Sequence, residues 1–263
     1  LSAFNNGAVR HAVLALWRRE VRVFLRDRAR VAGALAQPAL FWVLFGFGFS
    51  GVVDVPASDG YLAYLLPGIV ALTLLFTAIY ATISVVEDRQ SGVLQAVLVS
   101  PQPRLALVLG ILLGGVTLAV GQAVFVGAFA PLVGLQPGVA GTLHALAASG
   151  TLALSFTALG FAMAWRLKTT RAFHAVMNVV LIPVWLLSGA FFPEAGAPGW
   201  LQAVMRLNPA TYGVAWLRHG LHGLPEAIPG SAISLGVAMT ISVASAALFL
   251  AWAVATARRP LYG

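Results

Sequence analysis

The chain has no cysteine among its 263 residues, and only 9% of its residues are Asp, Glu, Lys or Arg. The missing cysteine excludes disulfide bonds, thiolate metal sites and a cysteine nucleophile. Soluble domains carry roughly 25% charged residues, so the low charge and the 60% of hydrophobic residues indicate an integral membrane protein. The eight acidic residues avoid the middle of every apolar run, which argues against coupling to protons or sodium.

A nucleotide site is also missing from the sequence. A P-loop needs a glycine-rich turn that ends in Gly-Lys-Ser or Gly-Lys-Thr, whereas the single lysine, Lys168, follows Leu167. We therefore expect this chain to bind no cofactor and to hydrolyse no ATP. It is predicted not to be an enzyme, and its energy source has to lie on another polypeptide.

Long apolar runs dominate what is present. A helix needs about 20 apolar residues to cross a bilayer, and continuous apolarity favours helices over strands with alternating polarity. The sequence predicts an all-α integral membrane protein with six transmembrane helices. They cover residues 31–53, 61–86, 105–133, 139–165, 175–192 and 233–257.

The positive charges predict the orientation of these spans. Fourteen of the sixteen Lys and Arg residues precede the first span, follow the last, or lie between spans two and three or four and five. The positive-inside rule makes these parts cytoplasmic. Both termini, including a short tail at 258–263, are therefore expected inside the cell. The net charge of +8 is explained by topology and does not require a nucleic-acid partner.

Residues 1–30 form a separate predicted element at the cytoplasmic face. At about 100° per residue, apolar side chains fall on one stripe and arginines on the opposite arc. Such an amphipathic helix sinks its apolar stripe into the lipid headgroup layer. It is either a topology anchor or a lever that touches a cytoplasmic partner. Its characteristic residues are Trp17, Arg18, Arg22 and Arg26.

Residues 189–230 are neither a span nor an ordinary loop, because Pro and Gly interrupt a segment that stays apolar. Broken helices at membrane depth are tolerated only when they are buried in protein or line a wet cavity. The pattern predicts a re-entrant helical hairpin that enters from outside and forms an outer gate. The gate residues are Phe191, Phe192, Pro193, Trp200, Asn208, Pro209 and Tyr212.

Residues 87–101, between spans two and three, are predicted to form a short helix that docks on a partner. Leu94, Val97 and Leu98 share a face at spacing i, i+3, i+4, and Pro101 stops the helix. A loop between spans has no packing reason to be helical and partly apolar unless it contacts something. The alternative is an interfacial helix without a partner.

This segment resembles the cytoplasmic coupling helix of type-2 ATP-binding-cassette transporter permeases. In that family an acidic residue ends span two, and a Gly, a Leu-Gln pair and a Ser-Pro stop follow. A second block, from Ser188 to Arg218, looks like the outer segment of the same family. The positions that match the coupling helix are Glu87, Gly92, Leu94, Gln95, Ser100 and Pro101.

The resemblance implies a six-span permease domain at 31–257, which is one subunit of an exporter in the inner membrane of a prokaryote. Its expected partners are a separate ATPase subunit that binds ATP and Mg, a second permease (an identical copy or a close relative), and membrane lipid. The resemblance implies export of a lipophilic drug, a lipid or a lipid-linked glycan.

Two other classes of function stay open. Gly48-Phe49-Ser50-Gly51 resembles the nucleophile motif of rhomboid intramembrane proteases, and His144 could lie at a similar depth. Ser50 and His144 would then form the catalytic pair of an intramembrane serine hydrolase. The third possibility is a membrane scaffold that transports nothing.

Overall fold

A computed structural model describes residues 6–49, 51, 60–99, 103–225 and 231–258. This part of the chain is helical almost throughout. The α-helices are α1 (Asn6–Arg26), α2 (Arg28–Gly48), α3 (Gly60–Ala81), α4 (Ile83–Gln90), α5 (Val93–Val99), α6 (Arg104–Gly127), α7 (Gly138–Ala164), α8 (Thr170–Trp185), α9 (Gly199–Leu207), α10 (Pro209–Leu221) and α11 (Leu235–Arg258). Shorter helical turns cover Ala130–Val133, Leu186–Ala190 and Glu194–Gly196.

Within the described residues, six segments are long and apolar enough to cross a membrane. The prediction of an all-α membrane protein with six spans is confirmed. The third span ends at Gly127, before the turn that contains Pro131, because proline does not continue a helix. The spans are Val31–Gly48, Gly60–Gln90, Arg104–Gly127, Gly138–Ala164, Thr170–Ala190 and Leu235–Arg258.

Span two lies at the centre of the bundle, and spans one and six lie at its edge. In span two 94% of the most apolar window is buried, against 11% in span one and 22% in span six. The reason is that α3 packs on α2, α6 and α7, whereas α11 packs mainly on α7 and α10. The large apolar faces of spans one and six are left for lipid or for another chain.

Helix α1 is part of the bundle, because it packs along α6. Two glycines of α6, which have no side chains, let the two helices approach closely. A Cβ atom on Gly110 would lie 2.5 Å from the Cβ of Leu16, and one on Gly114 would lie 2.7 Å from the Cβ of Glu20. Contacts four residues apart on both helices mean that α1 and α6 run side by side in the same direction here. How deeply α1 lies in the lipid headgroups stays a prediction.

The segment after span five folds into a pair of short helices, α9 and α10. Asn208 caps α10 by accepting a hydrogen bond from the Ala210 backbone N–H at 3.0 Å, and Pro209 is the first helical residue. The buried helix α10 packs on α7, α11 and α3. Two short helices thus lie at the predicted place, and the re-entrant hairpin that enters from the outer side stays a prediction. Residues 226–230 of the predicted segment lie outside the described residues.

Candidate functional site

Helices α4 and α5 form a tight turn, which we call the coupling hairpin (residues 83–99). The chain reverses at Gly92, whose φ of 82° lies in the left-handed region that favours glycine. The Ser91 hydroxyl donates to the Glu87 carbonyl oxygen at 2.9 Å and supports the end of α4. The glycine expected in this segment is therefore required by the turn.

Asp88 connects the coupling hairpin to α1. The two guanidinium nitrogens of Arg19 donate to the two carboxylate oxygens of Asp88 at 2.7 and 2.5 Å. This two-point geometry is the strong and directional form of an ion pair. The hydrogen bond to buried Asp88 raises the pKa of Arg19 above its usual value, although partial burial of the guanidinium opposes the shift.

Glu20 brings a second carboxylate to this place, on the face of α1 that meets Gly114. Burial raises the pKa of Glu20 above its usual value, and the Arg19 guanidinium, 3.5 Å away, opposes that shift. The sequence predicts only apolar residues on the buried stripe of α1. The structure adds a buried acid to that face.

The next two residues connect the coupling hairpin to the loop between α7 and α8. Arg89 donates to the Leu167 carbonyl oxygen at 2.7 Å and to the Trp165 carbonyl oxygen. The Gln90 side chain donates to the Lys168 carbonyl oxygen at 3.2 Å. Three consecutive side chains therefore hold the end of span two to α1 on one side and to spans four and five on the other.

Helix α5 presents a different face from the one we had predicted. Leu94 is 1% exposed and belongs to the hydrophobic core of the bundle. Its assignment to the docking face is wrong, because the periodicity defined an apolar face but not the direction in which it points. The exposed residues Val93, Ala96 and Val99 lie three positions apart and form the outer face, with Val99 86% exposed.

The other predicted coupling residues are placed only in part. Glu87 is exposed, and Gln95 is half-buried in α5. Ser100 and Pro101 lie outside the described residues. Glu87 is the acid that the family resemblance placed at the end of span two, and its neighbour Asp88 binds Arg19. The trace of this pair in the sequence is an acid at the end of a span and an arginine-rich helix before span one.

A cavity of about 380 Å³ opens next to the coupling hairpin. It lies between the end of α1, the first half of α2, the end of α3, the first five residues of α4 and the start of α8. Its apolar walls are Phe24, Phe76, Tyr80 and Ile83. Its polar groups are Gln37, Thr77, Glu87 and His174. Since Glu87 and His174 are exposed, the cavity communicates with the end of the bundle that carries most of the arginines. We call this end the basic end.

An aromatic cluster fills the opposite end of the bundle. The Phe191 ring lies 4.9 Å from that of Phe45 and 5.5 Å from that of Phe49, both in edge-to-face contact. Phe192 contacts Phe191 at 6.4 Å. Trp200 is 70% exposed on α9 and is not among the rings that contact Phe191 in the described part. The structure thus packs Phe191 on span one, a contact that sequence reasoning had missed, and the gate stays a prediction.

Other residues predicted for the gate lie near the break in span five. The Asn208 amide donates to the Val184 carbonyl oxygen at 2.7 Å, and the Tyr212 hydroxyl donates to the Arg206 carbonyl oxygen at 2.9 Å. Pro193 is extended and leads into the turn Glu194–Gly196. The Asn208 and Tyr212 side chains thus stabilise backbone.

The pair proposed for an intramembrane hydrolase has no support here. His144 Nδ1 accepts a hydrogen bond from the Trp216 indole N–H at 3.2 Å, so the imidazole already has a structural partner. Ser50 lies outside the described residues.

Comparison with known proteins gives one consistent result. A family profile described as "ABC-2 type transporter" matches residues 11–222. "Daunorubicin resistance ABC transporter permease protein DrrB1" of Streptomyces coeruleorubidus is 26% identical over 225 residues, which cover 82% of this chain and 76% of that protein. "Nodulation protein J" of Rhizobium meliloti (strain 1021) is 29% identical over 219 residues, which cover 81% and 82%. "Nodulation protein J" of Bradyrhizobium diazoefficiens is 27% identical over 248 residues, which cover 89% and 91%.

Proposed function

Because the chain belongs to the ABC-2 type transporter family and is a permease subunit of a transporter, we propose that it forms the membrane half of an ATP-driven exporter of lipophilic cargo. Permeases of this family normally work with an ATPase subunit. The ATP and Mg expected for this system would be bound by that partner. The basic end of the bundle faces the cytoplasm in this proposal.

The observation that carries the proposal is the exposed apolar face of α5 on a hairpin that is held firmly to the bundle. Val93 and Val99 expose methyl groups at the basic end, where the charge pattern predicts water and not lipid. A groove on the ATPase would cover them. Movement of the ATPase would then reach α1 through Asp88 and the loop after α7 through Arg89.

The cavity beside the coupling hairpin is the proposed loading chamber for cargo. Its aromatic and aliphatic walls favour an apolar molecule, and the Gln37 side chain offers hydrogen bonds to a polar group. The cavity communicates with the basic end, while aromatic rings fill the opposite end. This arrangement suits uptake from the cytoplasmic side followed by release on the other side, as expected of an exporter.

A second permease is the proposed cover for span one. Its own bundle leaves many apolar side chains of this span exposed, among them Leu40, Leu44 and Phe47. Span five, with exposed Val179 and Ile182, adds a neighbouring apolar face. Two chains that meet through these faces would enclose a pathway between their loading chambers. Lipid would cover the remaining apolar surface.

The test is purification of the chain with its candidate ATPase, followed by reconstitution in proteoliposomes. We expect the complex to contain the two polypeptides in equal amounts and to accumulate a lipophilic fluorescent amine or a labelled lipid when ATP is supplied. The chain alone should hydrolyse no ATP. ATP hydrolysis by the pure chain, or a complex that hydrolyses ATP but moves none of the probes, would contradict the proposal.

A further inference from the structure

Helix α10 carries a positive charge into the interior of the bundle. Arg218 is 2% exposed and is among the largest fully buried side chains. An unpaired charge is costly in such a place. In the described part of the chain the guanidinium binds carbonyl groups and an aromatic ring instead of a carboxylate. It donates to the Gly189 oxygen at 3.0 Å and to the Tyr64 oxygen at 3.4 Å, and it lies 4.1 Å from the centre of the Tyr64 ring.

The carbonyl group that Arg218 binds belongs to the break in span five. Gly189 has a φ of 73°, so the helix cannot continue through it and its carbonyl group leaves the helical hydrogen-bond pattern. The Tyr64 hydroxyl donates to the same oxygen at 2.9 Å. Arg218 therefore connects α10, span two and the break at a single point.

This point lies close in the chain to the aromatic cluster. Phe191, at the centre of that cluster, follows Gly189 by two residues, and its carbonyl oxygen accepts a hydrogen bond from the Tyr61 hydroxyl at 2.9 Å. The segment that carries the ring is thus held by span two and α10. If Gly189 were released, the segment would lose its two hydrogen bonds to Tyr64 and Arg218 and would keep the Tyr61 contact and the packing of Ala190 and Phe191.

A second buried charge lies beside this point. Glu194 binds Arg206 at 2.6 Å through one carboxylate oxygen. Its other oxygen and the Nε of Arg218 are both buried without a hydrogen-bond partner in the described part. Glu194 and Arg218 line the same small cavity, of about 10 Å³. The carboxylate is therefore positioned to receive the guanidinium once it leaves the Gly189 carbonyl oxygen.

We propose that Arg218 is the latch of the gate: it holds the Phe191 segment closed through the Gly189 carbonyl oxygen and transfers to Glu194 when the gate opens. Arg218 is in this sense a positioning residue, which acts through Phe191 and does not touch cargo. The inference rests on the proposed function, since a gate has a purpose only in a transporter. The buried guanidinium thus has an acceptor in both states: the Gly189 carbonyl oxygen when the gate is closed and the Glu194 carboxylate when it is open.

The test measures access to the latch in the reconstituted complex without nucleotide. The chain contains no cysteine, so Ser188→Cys, a small change at a buried position beside Gly189, is a specific reporter. An impermeant thiol reagent should label it slowly in the otherwise native chain. Arg218→Met should accelerate labelling on the order of tenfold, the effect of losing one charge-assisted hydrogen bond. Tyr64→Phe, which keeps the ring but removes one donor to Gly189, should accelerate it less.

Matched controls separate the latch from general loosening. Arg171→Met makes the same change at an exposed arginine of span five and should leave labelling at Ser188→Cys unchanged. A reporter at exposed Val139→Cys should react equally fast in all variants. If Arg218→Met fails to assemble with the ATPase, Arg218→Lys and Tyr64→Phe carry the test.

Labelling at the native rate in the assembled Arg218 and Tyr64 variants would overturn the latch. Equal acceleration in Arg171→Met would overturn it as well. The labelling assay does not depend on transport. A complex that moves no cargo would refute the proposed function, and the labelling rate would still report whether Arg218 holds the Phe191 segment closed.

Discussion

At the scale of single residues, Glu20 sets a pH dependence for the attachment of α1. Burial raises its pKa, so the folded chain favours the protonated acid more than the unfolded chain does. The stabilisation that protonation gives is complete below the unfolded pKa and is lost as the pH rises through the folded pKa.

Glu20→Gln replaces the acid by a neutral side chain of the same shape. We expect this variant to melt at or above the temperature of the parent at pH 7, and the difference to shrink as the pH falls toward 4.5. The measurement is the melting temperature of both purified chains in the same detergent over that range of pH. A variant that is less stable at pH 7 but equal at low pH would show that the charge of Glu20, through Arg19, stabilises the site.

Arg19 and Asp88 offer a test of how the coupling hairpin is connected to α1. Arg19→Asp or Asp88→Arg places like charges in contact and should cost about 1–3 kcal/mol, less than a fully buried pair because Arg19 is partly exposed. The double exchange restores opposite charges. We expect each single variant to lower the amount of cargo moved per ATP hydrolysed, and the double variant to recover part of it.

Arg18→Asp is the matched control, because Arg18 is the exposed neighbour on the same helix and should tolerate the change. A double exchange that performs no better than either single variant would show that this ion pair does not transmit movement between the hairpin and α1.

At the scale of elements, the two faces of α5 make opposite predictions. Val93→Asp puts a charge on the exposed face and should weaken ATPase binding at least about tenfold, since an unpaired charge is costly in a closed interface. Membrane insertion and melting should stay those of the parent. Leu94→Ala removes buried methyl groups and should lower stability by about 2–5 kcal/mol. Affinity measured on the purified subunits separates the two effects.

Val139→Asp supplies the control for Val93→Asp, because it is the same substitution at an exposed valine at the far end of the bundle. If Val93→Asp binds the ATPase with the affinity of the parent, α5 is not the docking element. Loss of binding in the Val139 variant as well would mean that charge alone disturbs the assembly.

The sequence predicts elements in this protein better than it predicts their contacts. Run length and Pro or Gly interruptions are local properties, so the six spans and the break after span five could be predicted. The pair of Arg19 and Asp88 joins residues 69 positions apart, and only the packing of α1 on α6 brings them together. The prediction that Leu94 lies on the docking face was wrong for a related reason. Helical spacing shows which side chains share a face, but tertiary packing decides whether that face points into the bundle or away from it.

At the scale of the whole molecule, the orientation in the membrane is directly testable. Gln90 lies at the basic end, on the coupling hairpin, and Val139 lies at the start of α7. Both are exposed, so a cysteine at either place should be reactive. In intact cells an impermeant reagent should label Val139→Cys and leave Gln90→Cys unlabelled until the membrane is opened. The reverse pattern would place α5 on the side without ATP and refute the coupling role.

The break in span five has a consequence for the lipid around it. A bilayer interior supplies no water to hydrogen-bond the carbonyl groups that a broken helix releases. Here the oxygens of Val184, Gly189 and Phe191 receive hydrogen bonds from side chains of span two, of α10 and of the N-cap residue of α10. These donors are Asn208, Tyr64, Arg218 and Tyr61. They act as a built-in solvation shell, so the kink can persist in a dry hydrocarbon environment, and replacing Asn208 or Tyr61 leaves a carbonyl group that lipid cannot solvate.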